Sequence, residues 1–262
     1  MAGWAVVEVA ADFSLDGRHA LVTGSARGLG RAIAIALAHA GADVALGLRD
    51  ANTAADVVEA IEATGRRAVR LQMDMNRLNE VRAAVAEADD ALGGLDILVN
   101  NAGIARVSMA ESVTVEDFDA TVRVNLAGTF FASQAAAALM RQRGFGRIVN
   151  IGSQAGLIAL PGESIYCMTK AAITHLTRCL AVEWGEFGIT VNCVAPTFVE
   201  TPGTEAALSD PAFRADVVQR IAALHRIGTP SDVTGAVVFL ASPSASLITG
   251  TTIPVDGGWT AR

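Results

Sequence analysis

Tyrosine and lysine are almost absent from this sequence. Its 262 residues include one tyrosine, Tyr166, and one lysine, Lys170, and aromatic residues make up only 5% of the chain. On a helix, residues four positions apart lie on one face, with their Cβ atoms about 5–6 Å apart. An ammonium group beside a phenol favours the phenolate, so it would lower the phenol pKa from its usual value of about 10 and make Tyr166 a proton shuttle. Chance proximity on a surface helix is the alternative, and the pair alone does not exclude it.

Cysteine and positive charge are also scarce. The three cysteines, Cys167, Cys179 and Cys193, are an odd number without metal-ligand spacing, so we expect neither a disulfide framework nor a metal site. The formal net charge of −7 argues against nucleic acids and anionic membranes as partners. No apolar run reaches the roughly 18 residues of a membrane-spanning helix. The segment Met1–Asp12 contains Glu8 and lacks the basic start of a signal peptide, so we expect a cytoplasmic protein.

No linker, internal repeat or low-complexity segment divides the chain. With 52% hydrophobic residues it can bury one large core, so we expect an N-terminal extension over residues 1–14 and a single domain over 15–262. Short apolar runs alternate with amphipathic stretches, which predicts an α/β fold, a doubly wound parallel sheet with helices on both faces. About seven strands are expected, near 19–23, 43–49, 68–73, 95–99, 147–151, 189–194 and 251–255, with helices near 31–40, 53–64, 78–91, 115–143 and 166–184.

The first predicted strand, His19–Thr23, runs into a glycine-rich turn, Gly24-Ser-Ala-Arg-Gly28-Leu-Gly30, and a helix follows. Glycines let the backbone approach a pyrophosphate, and a helix N-terminus offers free N–H groups and the positive end of its dipole. The spacing, T-G-x-x-x-G-x-G, is one residue off the common G-x-G-x-x-G pattern. A turn of this kind at the C-terminal end of a strand predicts a single Rossmann-type domain that binds a dinucleotide.

Three more motifs follow this turn in order. They are Asn100-Asn-Ala-Gly103, Ser153 and Tyr166-Cys-Met-Thr-Lys170. Together with Thr23–Gly30, their order and spacing resemble the short-chain dehydrogenase/reductase family over nearly the whole chain, from about Leu15 onward. The resemblance implies an NAD(P)-dependent oxidoreductase that transfers hydride between the cofactor and a secondary alcohol or ketone. It also implies a small-molecule substrate and a homodimer or homotetramer.

The resemblance further implies roles for individual residues. Tyr166 exchanges the proton with the substrate oxygen, Lys170 lowers the pKa of Tyr166 and holds the nicotinamide ribose, and Ser153 hydrogen-bonds the substrate oxygen. Asn125 holds a water that relays protons to Lys170, with a buried structural amide as the alternative. These four are the expected catalytic residues. The expected cofactor-binding residues are Gly24, Ser25, Arg27, Gly28, Leu29, Gly30, Arg49, Asp74, Met75, Asn101, Ala102, Gly103, Tyr166, Lys170, Pro196, Val199 and Thr201.

Two of these assignments have competing interpretations. Asp74 is expected to accept a hydrogen bond from the adenine amino group, but it could equally be a turn aspartate. Ser153 could be a helix-capping or turn serine. Thr201 and the Val199 backbone resemble the family's carboxamide-binding segment. Thr197 stands in that segment where glycine is usual, which leaves the local backbone path open.

The end of the second strand decides between NAD and NADP. A carboxylate there binds the ribose hydroxyls of NAD and repels the phosphate of NADP. Aligning the strand start on Gly41–Val44 places Leu48 at the acid position and Arg49 just after it, with Asp50 one residue further on. Arg27, in the glycine turn, adds a second cation. Two arginines favour a 2′-phosphate, so we expect NADP, with NAD as the alternative.

Residues 198–226 are expected to cover the substrate. They offer polar partners for hydroxyl groups and no wide aromatic slot: Glu200, Glu205, Asp210, Arg214 and His225. The segment resembles that of sugar-acid and polyol dehydrogenases, gluconate 5-dehydrogenases in particular.

Two other functions remain open at this point. The main alternative is a 3-oxoacyl-[acyl-carrier-protein] reductase, whose acidic carrier would need basic docking residues. Arg141, Arg143 and Arg147 form the one basic cluster that could serve. A non-catalytic dinucleotide sensor is less favoured, because a sensor has no need of the serine, tyrosine and lysine set.

Overall fold

Seven parallel strands form the centre of the structure, a computed structural model that describes residues 11–261. The strands are β1 (His19–Thr23), β2 (Asp43–Leu48), β3 (Ala68–Gln72), β4 (Ile97–Asn100), β5 (Gly146–Ile151), β6 (Ile189–Pro196) and β7 (Thr252–Val255). Their order in the sheet is β3-β2-β1-β4-β5-β6-β7, and all neighbouring pairs are parallel. The predicted fold class is therefore confirmed. Most of the predicted N-terminal extension, residues 1–10, lies outside the described residues.

Helices cover both faces of the sheet. They are α1 (Gly28–His39), α2 (Ala55–Glu62), α3 (Leu78–Leu92), α4 (Val115–Val122), α5 (Thr129–Arg143), α6 (Ser164–Trp184), α7 (Glu205–Leu208), α8 (Pro211–Arg220) and α9 (Pro230–Ala241). One hydrophobic core joins the sheet to α1, α2 and α9, and a second joins it to α3, α5 and α6. Every residue of β5 and β6 is buried, as expected for central strands of a parallel sheet covered on both faces. None of the helices in residues 11–261 is long and apolar enough to cross a membrane.

The predicted helix over residues 115–143 is not regular. A π-helical segment, Arg123–Gly128, separates α4 from α5 and contains Asn125. Such segments are rare and occur often at functional sites. Gly128 lets the segment lie close to the chain after β3, since an added Cβ atom would be 2.7 Å from Cε of Met75. This close approach, which pattern analysis does not detect, brings Asn125 towards the C-terminal edge of the sheet.

Several element boundaries also differ from the prediction. The first helix begins at Gly28 and not at Arg31, because the last residues of the glycine turn already form its first turn. The helix of the tyrosine begins at Ser164, so Tyr166 lies within its first turn. β6 continues to Pro196 because β7 pairs with it up to that residue. Gly28 and Tyr166 therefore belong to regular helices, and Pro196 belongs to a strand.

Candidate active site

The glycine turn is held by the loop that follows β4. Asn101 donates its side-chain amide to the carbonyl oxygens of Thr23 and Gly24, at 3.0 and 3.2 Å. The Thr23 hydroxyl accepts from the backbone N–H groups of Asn101 and Ala102, each at 3.0 Å. A Cβ atom on Gly30 would overlap the Gly24 carbonyl and the Asn101 amide. The turn therefore requires glycine at position 30, and its shape depends on β4 as well as on β1.

The start of α1 can receive an anion. Its N-cap residue, Arg27, makes no side-chain hydrogen bond to the first turn, so the N–H groups there are not capped by it. Gly24 and Gly28 have φ angles of +64° and +58°, a left-handed backbone that favours glycine. The buried hydroxyl of Ser25 has no hydrogen-bond partner among the described residues. Free donors at a helix N-terminus fit the pyrophosphate of a dinucleotide.

The end of β2 presents two cations, and the carboxylate that follows them is bound through one oxygen within its own loop. Leu48 is fully buried, whereas Arg27 and Arg49 are exposed, and neither forms an ion pair with another described residue. The carboxylate of Asp50 accepts from the backbone and side-chain N–H groups of Asn52, at 3.0 and 3.1 Å, so it is directed into its own loop. This arrangement fits a 2′-phosphate better than two ribose hydroxyls.

Asp74 forms a turn after β3. Its Oδ1 accepts from the backbone N–H of Asn76 at 3.0 Å and from that residue's side-chain amide at 3.2 Å. Its Oδ2 lies 3.9 Å from Nε of Arg77. The turn role is therefore present in the structure, and the adenine contact stays a prediction. Met75 is buried and packs against Gly128.

Asn125 joins the loop after β4 to α6. Its Oδ1 accepts from the Ile104 N–H at 2.8 Å, and its Nδ2 donates to the Ile104 carbonyl at 2.9 Å and to the Thr169 hydroxyl at 3.2 Å. The side chain therefore makes the contacts of a buried structural amide, and the water-holding role stays a prediction. The same loop brings Gly103 close to Asn125 and to Lys170, whose atoms would lie 3.4 and 3.6 Å from an added Cβ.

β5 and α6 bring the expected catalytic residues to one cleft. Ser153 follows β5, and Tyr166 and Lys170 lie one turn apart on α6. All three line a cleft of about 290 Å³. Lys170 is buried, and its Nζ donates to the Ile151 carbonyl at 2.8 Å and lies 5.5 Å from the centroid of the Tyr166 ring. The surface-helix alternative for this pair is thereby removed.

Ser153 also has a local structural contact. Its Oγ accepts from the Ala155 N–H at 3.1 Å, so it caps the short 3₁₀ turn Gln154–Gly156, and it donates to Oε1 of Gln154 at 2.9 Å. A hydrogen bond from Ser153 would lower the pKa of Tyr166, against the larger rise that burial causes. The capping role and a position beside the tyrosine hydroxyl are thus compatible.

The electrostatic expectation for Tyr166 needs correction. Burial raises its pKa to about 12, and the charge of Glu163 adds to the rise, whereas we expected Lys170 to lower it. The pKa of Lys170 is itself lowered by burial to about 8. Both shifts have one cause: each group has lost the water that would stabilise its charged form. In this arrangement the tyrosine is a neutral proton donor, and Lys170 is directed to a carbonyl and not to the phenol.

The segment after β6 forms the wall facing these residues. The cleft is lined there by Pro196, Val199 and Thr201, and on the cofactor side by Leu29, Asn101 and Gly103. The Thr197 N–H donates to the Val255 carbonyl at 3.1 Å, so the backbone keeps one more hydrogen bond to β7 after β6 ends, although glycine is absent. The Thr197 hydroxyl is buried and has no partner among the described residues. Nine predicted site residues thus line one cleft, and the others lie along the same sheet edge.

The comparisons with known proteins agree with this geometry. A family model described as enoyl-(acyl carrier protein) reductase matches residues 24–260, which include the glycine turn and the tyrosine–lysine pair. The chain belongs to the short-chain dehydrogenase/reductase family. Among its relatives, D-threitol dehydrogenase of Mycolicibacterium smegmatis is 38% identical over 96% of this chain and 96% of its own. The 3-oxoacyl-[acyl-carrier-protein] reductase of Synechocystis sp. is 39% identical over 94% of this chain and 98% of its own length.

Solved structures give the same result. Gluconate 5-dehydrogenase of Burkholderia cenocepacia, solved in complex with NADP and tartrate, has a TM-score of 0.92 and 38% identity, over 96% of this chain and 98% of its own. The expected family and the expected class, an oxidoreductase acting on alcohol and ketone groups, are confirmed.

The covering segment of this short-chain dehydrogenase/reductase differs from our expectation. Beneath its polar surface lies an apolar cluster of Leu208, Val217, Ile221, Ile227 and Trp259, with Phe198 and Phe213 packed against it. The Phe198 ring lies 5.5 Å from that of Phe213 and 5.9 Å from that of Trp259. Of these three rings only Phe198 lines the cleft, so the cluster is a packing feature that was not predicted, and the expectation of no wide aromatic slot stays a prediction. α7 and α8 are amphipathic, and the charged residues that we read as substrate partners, such as Glu200 paired with Arg214, lie on the outer side.

Three further residues of this cleft were not predicted from the sequence. Thr204 organises the carboxamide segment, because its Oγ1 accepts from the Thr201 N–H at 3.1 Å and lies 2.6 Å from the Val199 carbonyl. Gln154 and Glu163 line the outer part of the cleft beside Tyr166. The position of Glu163, three residues before the tyrosine on a helix, was the available signal.

Proposed function

We propose that this protein transfers hydride between NADP and a secondary alcohol or ketone on a polyol or sugar acid. The observation that carries the proposal is the cleft in which Ser153, Tyr166 and Lys170 converge, with the polar side chains of Gln154 and Glu163 in its outer part. The threitol and gluconate dehydrogenases among the similar proteins support this substrate class.

The protein residues handle the proton and the position of the substrate. The substrate oxygen sits between the Ser153 and Tyr166 hydroxyls. In the reducing direction neutral Tyr166 donates its proton to that oxygen as negative charge develops on it. In the oxidising direction the tyrosinate accepts the proton, so this direction gains with rising pH. Ser153 donates a hydrogen bond that orients the substrate oxygen and stabilises the developing charge.

The nicotinamide cofactor, when bound, supplies or accepts the hydride. The N-terminus of α1 with Ser25 would hold its pyrophosphate, and Arg27 and Arg49 would hold the 2′-phosphate of NADP. The loop Asn101–Gly103 and Lys170 would bind its ribose. Thr201 and the Val199 backbone would bind the carboxamide. The NADP bound to the Burkholderia cenocepacia enzyme supports the choice of NADP over NAD.

A carrier-protein reductase is the second candidate, favoured by the Synechocystis relative and by the apolar cluster under the covering segment. The basic cluster argues against it. Arg143 pairs with Asp89, and Arg147 is buried near the start of β5. The start of β5 lies at the N-terminal ends of the strands, whereas the cleft lies at their C-terminal ends. These arginines are therefore unable to dock a carrier protein at the mouth of the cleft.

A substrate panel tests the proposal. We expect polyols or aldonates to be oxidised with NADP at a catalytic efficiency well above that for reduction of an acetoacetyl thioester with NADPH, both followed by the absorbance of the reduced cofactor. If the catalytic efficiency for the thioester is tenfold higher or more, the carrier-protein reductase takes the place of this proposal. The same panel run with NAD tests the cofactor.

We propose a cytoplasmic homodimer or homotetramer. The free thiols of Cys167, Cys179 and Cys193 support a reducing compartment. Apolar side chains on the outer sides of α4 and α6 support assembly: Phe118 is 41% exposed and Val182 is 85% exposed. A helix that is apolar on two sides needs cover on both. Sedimentation of a stable monomer at micromolar concentration would contradict this proposal.

A further inference from the structure

The outer part of the cleft contains a single charged side chain. This outer part has a volume of about 230 Å³ and extends from Ser153 and Tyr166 past Gln154 and Leu160 to Glu163. Glu163 is the one charged residue that lines it, and neither arginine, lysine nor histidine is among its lining residues. Much of the remaining wall is apolar, with Val107, Leu160 and Phe198, so Glu163 is the one charge that a ligand extending beyond the reacting carbon can meet there.

This carboxylate has no partner within the described residues. Glu163 is the N-cap residue of α6, yet its side chain makes no hydrogen bond to the first turn. It forms no ion pair or other side-chain hydrogen bond. The arginines of the adjacent segments are occupied, Arg106 by Asp117 at 2.8 Å and Arg214 by Glu200. The charge of Glu163 thus remains directed to the cleft.

The environment of Glu163 favours a ligand that donates hydrogen bonds. Burial raises its pKa, because the carboxylate has lost water and gained no donor in exchange. An ionised carboxylate accepts hydrogen bonds only, and its two oxygens can receive two neighbouring hydroxyl groups. A ligand carboxylate has no proton to donate, and its like charge is repelled. A ligand carboxylate would need a cation as its partner, and this part of the cleft has none among its lining residues.

We propose that Glu163 determines substrate specificity by binding neighbouring hydroxyl groups of a neutral polyol and by excluding sugar acids. This inference rests on the proposed function and narrows its substrate class to neutral polyols. The hydroxyl that reacts is held by Ser153 and Tyr166, and the hydroxyls on the next carbons meet Glu163. Glu163 does not touch the reacting atoms, so it acts on specificity through substrate binding. Its charge also raises the pKa of Tyr166, an effect common to all substrates that leaves their ratio unchanged.

The test compares catalytic efficiencies for D-threitol, xylitol and D-gluconate with NADP at one pH. The variants are Glu163→Gln, which removes the charge and keeps the shape, and Glu163→Asp, which keeps the charge. The matched control is Glu183→Gln, an exposed residue at the opposite end of α6. Melting temperature and NADPH fluorescence establish that each variant is folded and binds cofactor.

We expect the wild-type enzyme to prefer both polyols to gluconate. Glu163→Gln should lower the efficiency for polyols by roughly tenfold to a hundredfold, mainly through KM, as expected for loss of charge-assisted hydrogen bonds. The polyol-to-gluconate ratio should fall at least tenfold. Glu163→Asp should keep the preference for polyols, and Glu183→Gln should leave the ratio unchanged.

Two results would overturn the inference and leave the proposed function standing. One is a wild-type enzyme that oxidises gluconate as efficiently as the polyols. The other is a ratio that changes no more in Glu163→Gln than in Glu183→Gln. An acetoacetyl thioester that exceeds every polyol and aldonate would overturn both the inference and the proposed function.

Discussion

Lys170 should destabilise the folded protein at neutral pH, and its replacement by methionine should show by how much. The side chain is 5% exposed, and burial lowers its pKa from 10.5 to about 8. A difference of one pKa unit between the unfolded and folded states is worth about 1.4 kcal/mol. The lowered pKa of Lys170 therefore corresponds to a cost of about 3 kcal/mol for holding its ammonium in the folded state. Below pH 8 both the folded and unfolded chains are protonated and the full cost remains.

The sign of the pH dependence follows from the depressed pKa. Between pH 8 and 10.5 the unfolded chain binds this proton and the folded chain does not, so the free energy of unfolding contributed by Lys170 rises with pH. Lys170→Met preserves length but removes the charge and the 2.8 Å hydrogen bond to the Ile151 carbonyl, which contributes about 1 kcal/mol. We therefore expect the variant to be about 2 kcal/mol more stable than wild type below pH 8, and to lose that advantage by pH 10.5.

Urea denaturation of nucleotide-free protein between pH 6.5 and 10.5 measures this difference, with the wild-type curve subtracted to remove all other titrating groups. Arg178→Met, which removes an exposed cation from the same helix, is the control and should show no such pH dependence. A difference between wild type and Lys170→Met that stays constant over this range would refute the argument from burial. The stability gain should accompany loss of turnover, as expected when a functional group is kept in a costly environment.

Three further predictions concern the reaction. Tyr166→Phe should cost several orders of magnitude in kcat because it removes the transferable proton. Lys170→Arg should do likewise because the larger planar guanidinium does not fit the buried position from which Nζ reaches the Ile151 carbonyl; near-normal rates in either variant would contradict the mechanism. The pair Arg27→Ala and Arg49→Ala should weaken NADP binding by about 2–5 kcal/mol in calorimetry, with little change for NAD, and equal losses for both cofactors would assign these arginines another role. Burial and the charge of Glu163 hold the pKa of Tyr166 at about 12, so alcohol oxidation should accelerate as pH rises towards that value. In Glu163→Gln the rising limb of the pH–rate profile should move to lower pH, and an unmoved limb would show that the two groups do not interact.

Local pattern was enough for the architecture. Strand-length apolar runs alternate with helical stretches, and each strand of a parallel sheet is specified by its own residues and those beside it. The motif residues lie at the C-terminal ends of β1, β4 and β5. In a parallel sheet these ends all lie on the same side of the domain. Their convergence on one cleft therefore followed from their positions along the chain.

The features that were not predicted share a different origin. The π-helical segment at Asn125 depends on Gly128 meeting Met75, and the aromatic cluster depends on Phe198, Phe213 and Trp259 folding over the same edge. Both are contacts between residues distant in sequence. The basic cluster of Arg141, Arg143 and Arg147 was easily seen, but its position at the far edge of the sheet required the strand register.

The sequence by itself determined the fold class, the family and the identity of the reactive group, because periodicity, turn chemistry and a rare Tyr–Lys pair are local properties. Only the tertiary structure decided the electrostatics of that group. The burial that raises the pKa of Tyr166 and lowers that of Lys170, and the isolation of Glu163 in the outer cleft, come from elements that meet around α6. A pKa depends on the water that the surrounding elements exclude and the charges they bring near, and spacing along the chain specifies neither.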